Sequence, residues 1–329
     1  MLRKGIAIAI LSLIVSSTDV PNMKKLADSS QREGWAFLAY ASFCNRTYYV
    51  HSGKIDVIYP KTDVIKELGL HWCSDVLHQA QPAPSSDGNY VAYVRRLSAS
   101  NKDEAISIYN LADNTIQDLV RVDMSVYELG WSPNGKEIAF IAAYNNDRYS
   151  IFSLHVVSLD SHQVTALTPL VKLSPSTPIC WSPDSKEVLV QEQMGSSARR
   201  GAAIGIVIVN RETKTRRRIE YGKHPSWSRN GELIAFLDED GRTCYVINPD
   251  GTSRQVLFSY KESMLLPSGY ELIGPLVWSP DMRYLIYHRT DGRIGDQRRI
   301  YMFDLKSKKS EEIFSGGRLE IMSWASARK

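Results

Sequence analysis

The chain has 329 residues, a formal net charge of +4, 43% apolar residues and four cysteines. That composition excludes a collagen-like, low-complexity or disulfide-framework protein and leaves a globular chain of one or two domains. Setting aside Arg3 and Lys4 lowers the charge to +2, too little for the electrostatic footprint of a nucleic-acid binder.

Residues 1–17 carry a basic start, Arg3-Lys4, an uncharged apolar run over 5–15, and the small or β-branched Val15-Ser16-Ser17. This reads as a secretory signal peptide. An uncleaved anchor or a buried strand are the alternatives, but the run is shorter than the ~20 residues of a bilayer span. With no cysteine close behind the run, lipid attachment is not expected. Export implies a periplasmic or extracellular protein with no stable membrane insertion after cleavage. Residues 18–31 follow as a linker, and 32–329 as one repeat-built domain.

Within that domain a first, incomplete copy has residues 33–39 as its second strand, 55–59 as its third and 64–68 as its fourth. Five fuller copies follow: PSSDGNYVAYV from 84, WSPNGKEIAFI from 131, WSPDSKEVLV from 181, WSRNGELIAFL from 227 and WSPDMRYLIY from 278. Pro84, Trp131, Trp181, Trp227 and Trp278 are 47, 50, 46 and 51 residues apart, so one supersecondary unit recurs. In the copy at 131, Pro133 presets φ and Asn134-Gly135 accepts positive φ. The segment ending at the tryptophan is therefore an inner strand A, and the β-forming run after the turn is strand B. Residues 106–111, 151–159, 204–210, 244–249 and 300–305 supply strand C, and runs such as 255–258 and 311–314 an outer strand D. Residues 320–324 form a lone strand A, with Trp324 46 residues beyond Trp278. The expectation is an all-β, six-bladed β-propeller of four-stranded antiparallel blades, closed by the C-terminal strand joining the N-terminal blade.

The recurring W-S-P-D/N-G, followed by I-A-F and later D-G turns, resembles the TolB-type propeller repeat over roughly residues 28–326. TolB itself implies a preceding α/β domain, which nothing before residue 33 matches. The resemblance implies fold far more than function, because the repeat serves translocation proteins, peptidase-attached propellers and polysaccharide lyases alike.

Chemistry is sparse. No Gly-x-Ser-x-Gly elbow, His-Glu-x-x-His pair or phosphate-binding glycine loop occurs. The Asp-Gly pairs at 87, 240, 250 and 291 recur at turns and read as turns, and the tryptophans as packing between blades. His71, Cys73, Asp75, His78, His224 and His288 fall toward one face, where B–C and D–A loops emerge. Imidazoles and a carboxylate suit a divalent transition metal, but ordinary loop or core histidines explain them as well. The sequence therefore assigns no catalytic, cofactor-binding or metal residue, and no cofactor. That face also carries the long apolar segment 258–275, with Leu265, Leu266 and Tyr270. Arg95, Arg96, Arg148, Arg199, Arg200, Arg298 and Arg299 lie there among Asp103, Asp147 and Asp291, a polar rim suited to protein or peptide docking. Arg211, Lys214, Arg216, Arg217 and Arg218 form a basic run on the C–D turn and outer strand of the fourth blade, which could meet phosphate or an acidic polymer but reads more simply as charge guarding an exposed edge. Cys44 and Cys73 are a candidate disulfide, while Cys180 and Cys244 are expected as buried thiols. The reading is a monomeric binding or scaffold module with a protein or peptide partner; the alternative is a propeller-type enzyme such as a metal-assisted polysaccharide lyase or a glycan hydrolase.

Overall fold

The computed structural model describes residues 35–41, 46–51, 54–59, 83–97, 104–110, 112–113, 115–143, 151–169, 171–173, 179–194, 203–259, 271–290, 299–315 and 319–326. Among them there are 24 strands. The first three are β1 (Trp35–Ala41), β2 (Arg46–His51) and β3 (Lys54–Tyr59). Next come β4 (Ala83–Pro84), β5 (Tyr90–Arg96), β6 (Glu104–Asn110) and β7 (Ile116–Val122). A third group is β8 (Ser125–Trp131), β9 (Glu137–Ala143), β10 (Phe152–Ser158) and β11 (Val164–Ala166). The fourth is β12 (Cys180–Trp181), β13 (Glu187–Met194), β14 (Ala203–Asn210) and β15 (Arg216–Tyr221). The fifth is β16 (Lys223–Trp227), β17 (Ile234–Leu237), β18 (Thr243–Ile247) and β19 (Gln255–Ser259). The chain then runs through β20 (Glu271–Trp278), β21 (Tyr284–Thr290), β22 (Arg299–Asp304), β23 (Lys309–Ser315) and β24 (Leu319–Ser326).

These strands form six four-stranded sheets. Sheets 2 to 6 are consecutive antiparallel meanders, while sheet 1 has the order β24-β1-β2-β3. β24 pairs with β1 from Trp35↔Ser326 to Ala41↔Leu319, with one bulge. The expected strand assignment in the first copy needs correction. Its third and fourth strands are β2 and β3, not residues 55–59 and 64–68; 55–59 lies in the fourth, and 64–68 lies outside the described residues. β2 and β3 pair antiparallel up to His51↔Lys54, so only two residues separate them in sequence, too few to mark a boundary beside the Tyr48-Tyr49 run.

The sequence of β9 alternates weakly because every one of its residues is buried. A sheet covered by neighbours on both faces has no wet side to encode. Apolar clusters fill the spaces between successive sheets, and Trp131, Trp181, Trp227 and Trp278 each pack toward the preceding sheet. Trp131 lies with Ala92, Val94 and Ile106 of sheet 2, and Trp181 with Ile141 and Leu154 of sheet 3. Trp278 lies with Ala235 and Leu237 of sheet 5. The indole N–H of Trp181 donates to Gly130 O (2.9 Å), and that of Trp278 to Ser226 O (3.1 Å). These two indoles thus tie sheets 4 and 6 to their predecessors as well as filling volume, whereas the indole N–H of Trp227 donates to Gly231 O (3.2 Å) in its own turn. At Gly130 the approach is close: a Cβ there would lie 2.7 Å from Ile179 O.

The turn signature has a physical explanation that repeats five times. Ser85, Ser132, Ser182, Ser228 and Ser279 are at most 6% exposed. Each hydroxyl donates to the Asp or Asn two residues on, Asp87, Asn134, Asp184, Asn230 or Asp281, at 2.6–2.8 Å. Each Oγ also accepts the N–H five residues on at 2.8–2.9 Å. The serine carbonyl accepts the N–H of Gly88, Gly135, Ser185, Gly231 or Met282 at 2.9–3.1 Å. That residue sits at φ of 62–79° in every copy. Glycine takes this conformation freely, whereas Ser185 and Met282 hold it under strain.

Candidate functional site

Opposite the serine turns, strands B and C join and each outer strand leads to the next inner one. Sheets 3 and 4 present apolar side chains at this end. Ile151 opens β10 at 37% exposure and Tyr221 closes β15 at 39%. Met194 at the end of β13 and Ile204 near the start of β14 are half-buried. Exposed Lys172 and half-buried Lys223 stand at the same end.

Polar groups penetrate deeper. Gln191 in β13 is buried, and its Oε1 accepts the backbone N–H of His224 at 2.6 Å. His224 has a φ of 52°, a left-handed conformation rare outside glycine, at a register shift in β16. Its imidazole lies directly over Gly274, where a Cβ would stand 2.3 Å from Nδ1. A second shift, in β20 between Ile273 and Val277, lies alongside. Bulges of this kind re-aim side chains. His288 is fully buried, and its Nδ1 lies 3.0 Å from Pro275 O.

The two histidines therefore meet the same dipeptide from opposite faces. His224 approaches β20 from sheet 5. Tyr287 packs with sheet 5 residues, so the next residue, His288, points to the other face of its strand. They do not converge on one point. Among the described residues no three His, Cys, Asp or Glu side chains are grouped to hold a metal ion. His71, Cys73, Asp75 and His78 lie outside the described residues.

The expected docking rim is only partly described. Leu265, Leu266, Tyr270, Arg148, Arg199, Arg200, Arg298, Asp103, Asp147 and Asp291 fall outside the described residues, as does the side chain of Arg96. Arg95 is ion-paired with Asp118, which also accepts from Ser107 Oγ at 2.7 Å. Arg299 lies 3.7 Å from Glu312.

The basic run on β15 is engaged within the protein. Arg211 forks onto Glu137 of sheet 3, Arg216 pairs with Glu192, and Arg217 donates to Pro249 O (2.6 Å) and reaches Glu187. Arg218 stacks on Tyr221 at 4.3 Å. These contacts support the reading of a charged, self-satisfied edge. Cys180 and Cys244 are free. Burial pushes the Cys180 thiol up to about 11, although its Sγ accepts the Trp227 N–H at 3.2 Å. Cys44 and Cys73 lie outside the described residues.

Two buried titratable groups escaped the sequence reading. Glu128 on the inner strand β8 is 2% exposed, and its Oε2 has no partner. Desolvation raises its carboxyl well above the usual carboxylate range. His155 in β10 stacks on Phe140 at 5.1 Å with Nε2 2.6 Å from Ser153 Oγ, and burial lowers its pKa. The only signal available for either was a polar residue inside an apolar run.

No protein-family model and no curated protein matches the chain in sequence. Solved structures do match in shape. TolB from Acinetobacter baumannii is 14% identical with a TM-score of 0.61, over 97% of this chain and 71% of that one. A chain of the nidogen/laminin complex is 14% identical with a TM-score of 0.58, over 90% and 100%. Oligogalacturonate lyase from Vibrio parahaemolyticus is 14% identical with a TM-score of 0.53, over 85% and 73%. Likeness this remote carries the fold and not the activity. No helix among the described residues is long and apolar enough to cross a membrane. With its antiparallel four-stranded sheets and these neighbours, the chain has a TolB-like β-propeller fold.

Proposed function

We propose that the chain forms a closed six-bladed propeller that works, after export to the periplasm or beyond, as a monomeric binding or scaffold module. In this reading residues 1–17 are a removed signal peptide, 18–31 a linker and 32–329 the propeller. Support for closure comes from the pairing of β24 with β1, and from the inner strands β4, β8, β12, β16, β20 and β24, each beside the next and β24 beside β4. A ring of this kind leaves no unpaired inner edge.

The observation that carries the binding reading is the apolar end of sheets 3 and 4, where Ile151, Met194, Ile204 and Tyr221 remain partly in water. The partner is a protein or peptide, whose apolar anchors would fill such a surface and whose polar groups would meet its rim. Cross-linking in native cells followed by mass spectrometry would identify the partner. The I151S/Y221S variant should then bind it at least about tenfold more weakly, as expected from losing central apolar contacts, while keeping its melting temperature, because both side chains are exposed. Unchanged affinity for that partner sinks the proposal. A lyase-type enzyme is the second reading, suggested by the fold shared with oligogalacturonate lyase. Cleavage of oligogalacturonate by the purified chain with a divalent metal would favour it.

A further inference from the structure

Two of the five serine turns carry Asn-Gly where the others carry Asp-Gly, Asp-Ser and Asp-Met: Asn134-Gly135 and Asn230-Gly231. In an open chain Asn-Gly is prone to hydrolysis. The glycine nitrogen attacks the asparagine Cγ, the side-chain nitrogen leaves as ammonia with the proton displaced, and water opens the resulting succinimide at either carbonyl, leaving aspartate or an isoaspartate linkage. Water is the only co-reactant. Glycine permits the reaction because no side chain shields its nitrogen.

In the folded turn both reacting groups are occupied. Gly135 N–H donates to Ser132 O at 2.9 Å, and Gly231 N–H to Ser228 O at 3.0 Å. The Asn134 side chain is held at Oδ1 by Ser132 Oγ–H (2.8 Å) and by Lys136 N–H (3.0 Å). Its backbone N–H also donates to Ser185 Oγ in the neighbouring turn at 3.0 Å. Asn230 is held by Ser228 Oγ–H (2.8 Å) and Glu232 N–H (3.2 Å), and its own amide donates to Glu232 Oε2 at 2.7 Å. Attack requires the glycine nitrogen to leave the serine carbonyl and the side chain to swing out of the serine hydroxyl.

The aspartate product, however, suits the turn. Asp87, Asp184 and Asp281 occupy the equivalent position and accept the same serine hydroxyl at 2.6 Å. The Ser182 hydroxyl also helps to hold the Asp184 carboxyl below its usual range, so the turn favours the charged form that hydrolysis would leave.

We propose that Asn134 and Asn230 are deamidation sites gated by folding: inert in the closed turn, converted when the sheet opens, and able to re-form the turn where the succinimide opens to aspartate. The chain would then keep a covalent record of past unfolding. The test is peptide mapping of the purified chain after incubation in mildly alkaline buffer, folded and in urea. The amide-to-acid mass change at each asparagine should be at least about tenfold slower in the folded sample, because two retained hydrogen bonds must break to expose the reacting atoms. Equal rates in the two samples overturn the proposal. In parallel, N134D/N230D should melt together with the wild type, and a clearly lower melting temperature overturns the claim that the product fits.

Discussion

Ser228→Ala removes the hydroxyl of a fully buried residue from its turn. In the wild type that Oγ accepts Leu233 N–H at 2.9 Å and donates to Asn230 Oδ1 at 2.8 Å. Alanine leaves a backbone donor at the start of a sheet without its acceptor, which costs about 1–3 kcal/mol. A drop in melting temperature of roughly 2–4 °C per kcal/mol follows for a domain of this size. Ser132→Ala should do the same in sheet 3. These two turns share no hydrogen bond, so S132A/S228A should lose the sum of the single effects to within about 0.5 kcal/mol. Exposed Ser161→Ala is the control, expected within about 0.5 kcal/mol of the wild type. Urea unfolding followed by tryptophan fluorescence reads all four proteins. If Ser228→Ala matched the Ser161 control, the hydroxyl would not be what holds the turn and the account of the repeat would fail.

Glu128 gives a pH prediction. Its folded-state carboxyl is raised above the ordinary 4.5, so stability is lost as pH rises from that value through the folded pKa. Glu128→Gln should therefore gain on the wild type as pH increases; a stability difference that stays flat between acid and neutral pH contradicts the burial argument. Gly130→Ala drives a methyl into Ile179 O, which cannot rotate away, and should cost about 1–3 kcal/mol by overpacking; calorimetry showing no loss would mean that the two inner strands are not so close. Ending the chain after Ser315 removes β24 and exposes the inner edge of β1. Its melting temperature should fall well below that of the full chain, and equal melting would refute closure through sheet 1.

Much of the fold is legible because the repeat encodes it redundantly. Serine, Asp or Asn and a positive-φ residue each supply one bond of the same turn, and the tryptophan before them marks the packed face. The first copy is harder to read because its connections are short and its inner strand comes from the other end of the chain. The candidate surface is less legible still. His224 and His288 look alike in sequence, yet strand alternation and two register shifts send them to opposite faces of β20. Gln191 and Glu128 sit in runs that any pattern reads as apolar. Their roles depend on which strand of another sheet lies opposite, and no local spacing encodes that.

The pairing of β24 with β1 also sets a timetable. Whether the chain leaves a ribosome or a translocation pore, β1 comes first among the described strands, and the strand that completes its sheet comes after the other twenty-three. Until then sheet 1 keeps a bare edge that must wait through the synthesis of nearly every other sheet. Pairings between such distant segments form slowly, and the open edge is exposed to other chains meanwhile. The chain is therefore open to misassembly until β24 is in place, so a chaperone that protects it would be most useful before that pairing forms.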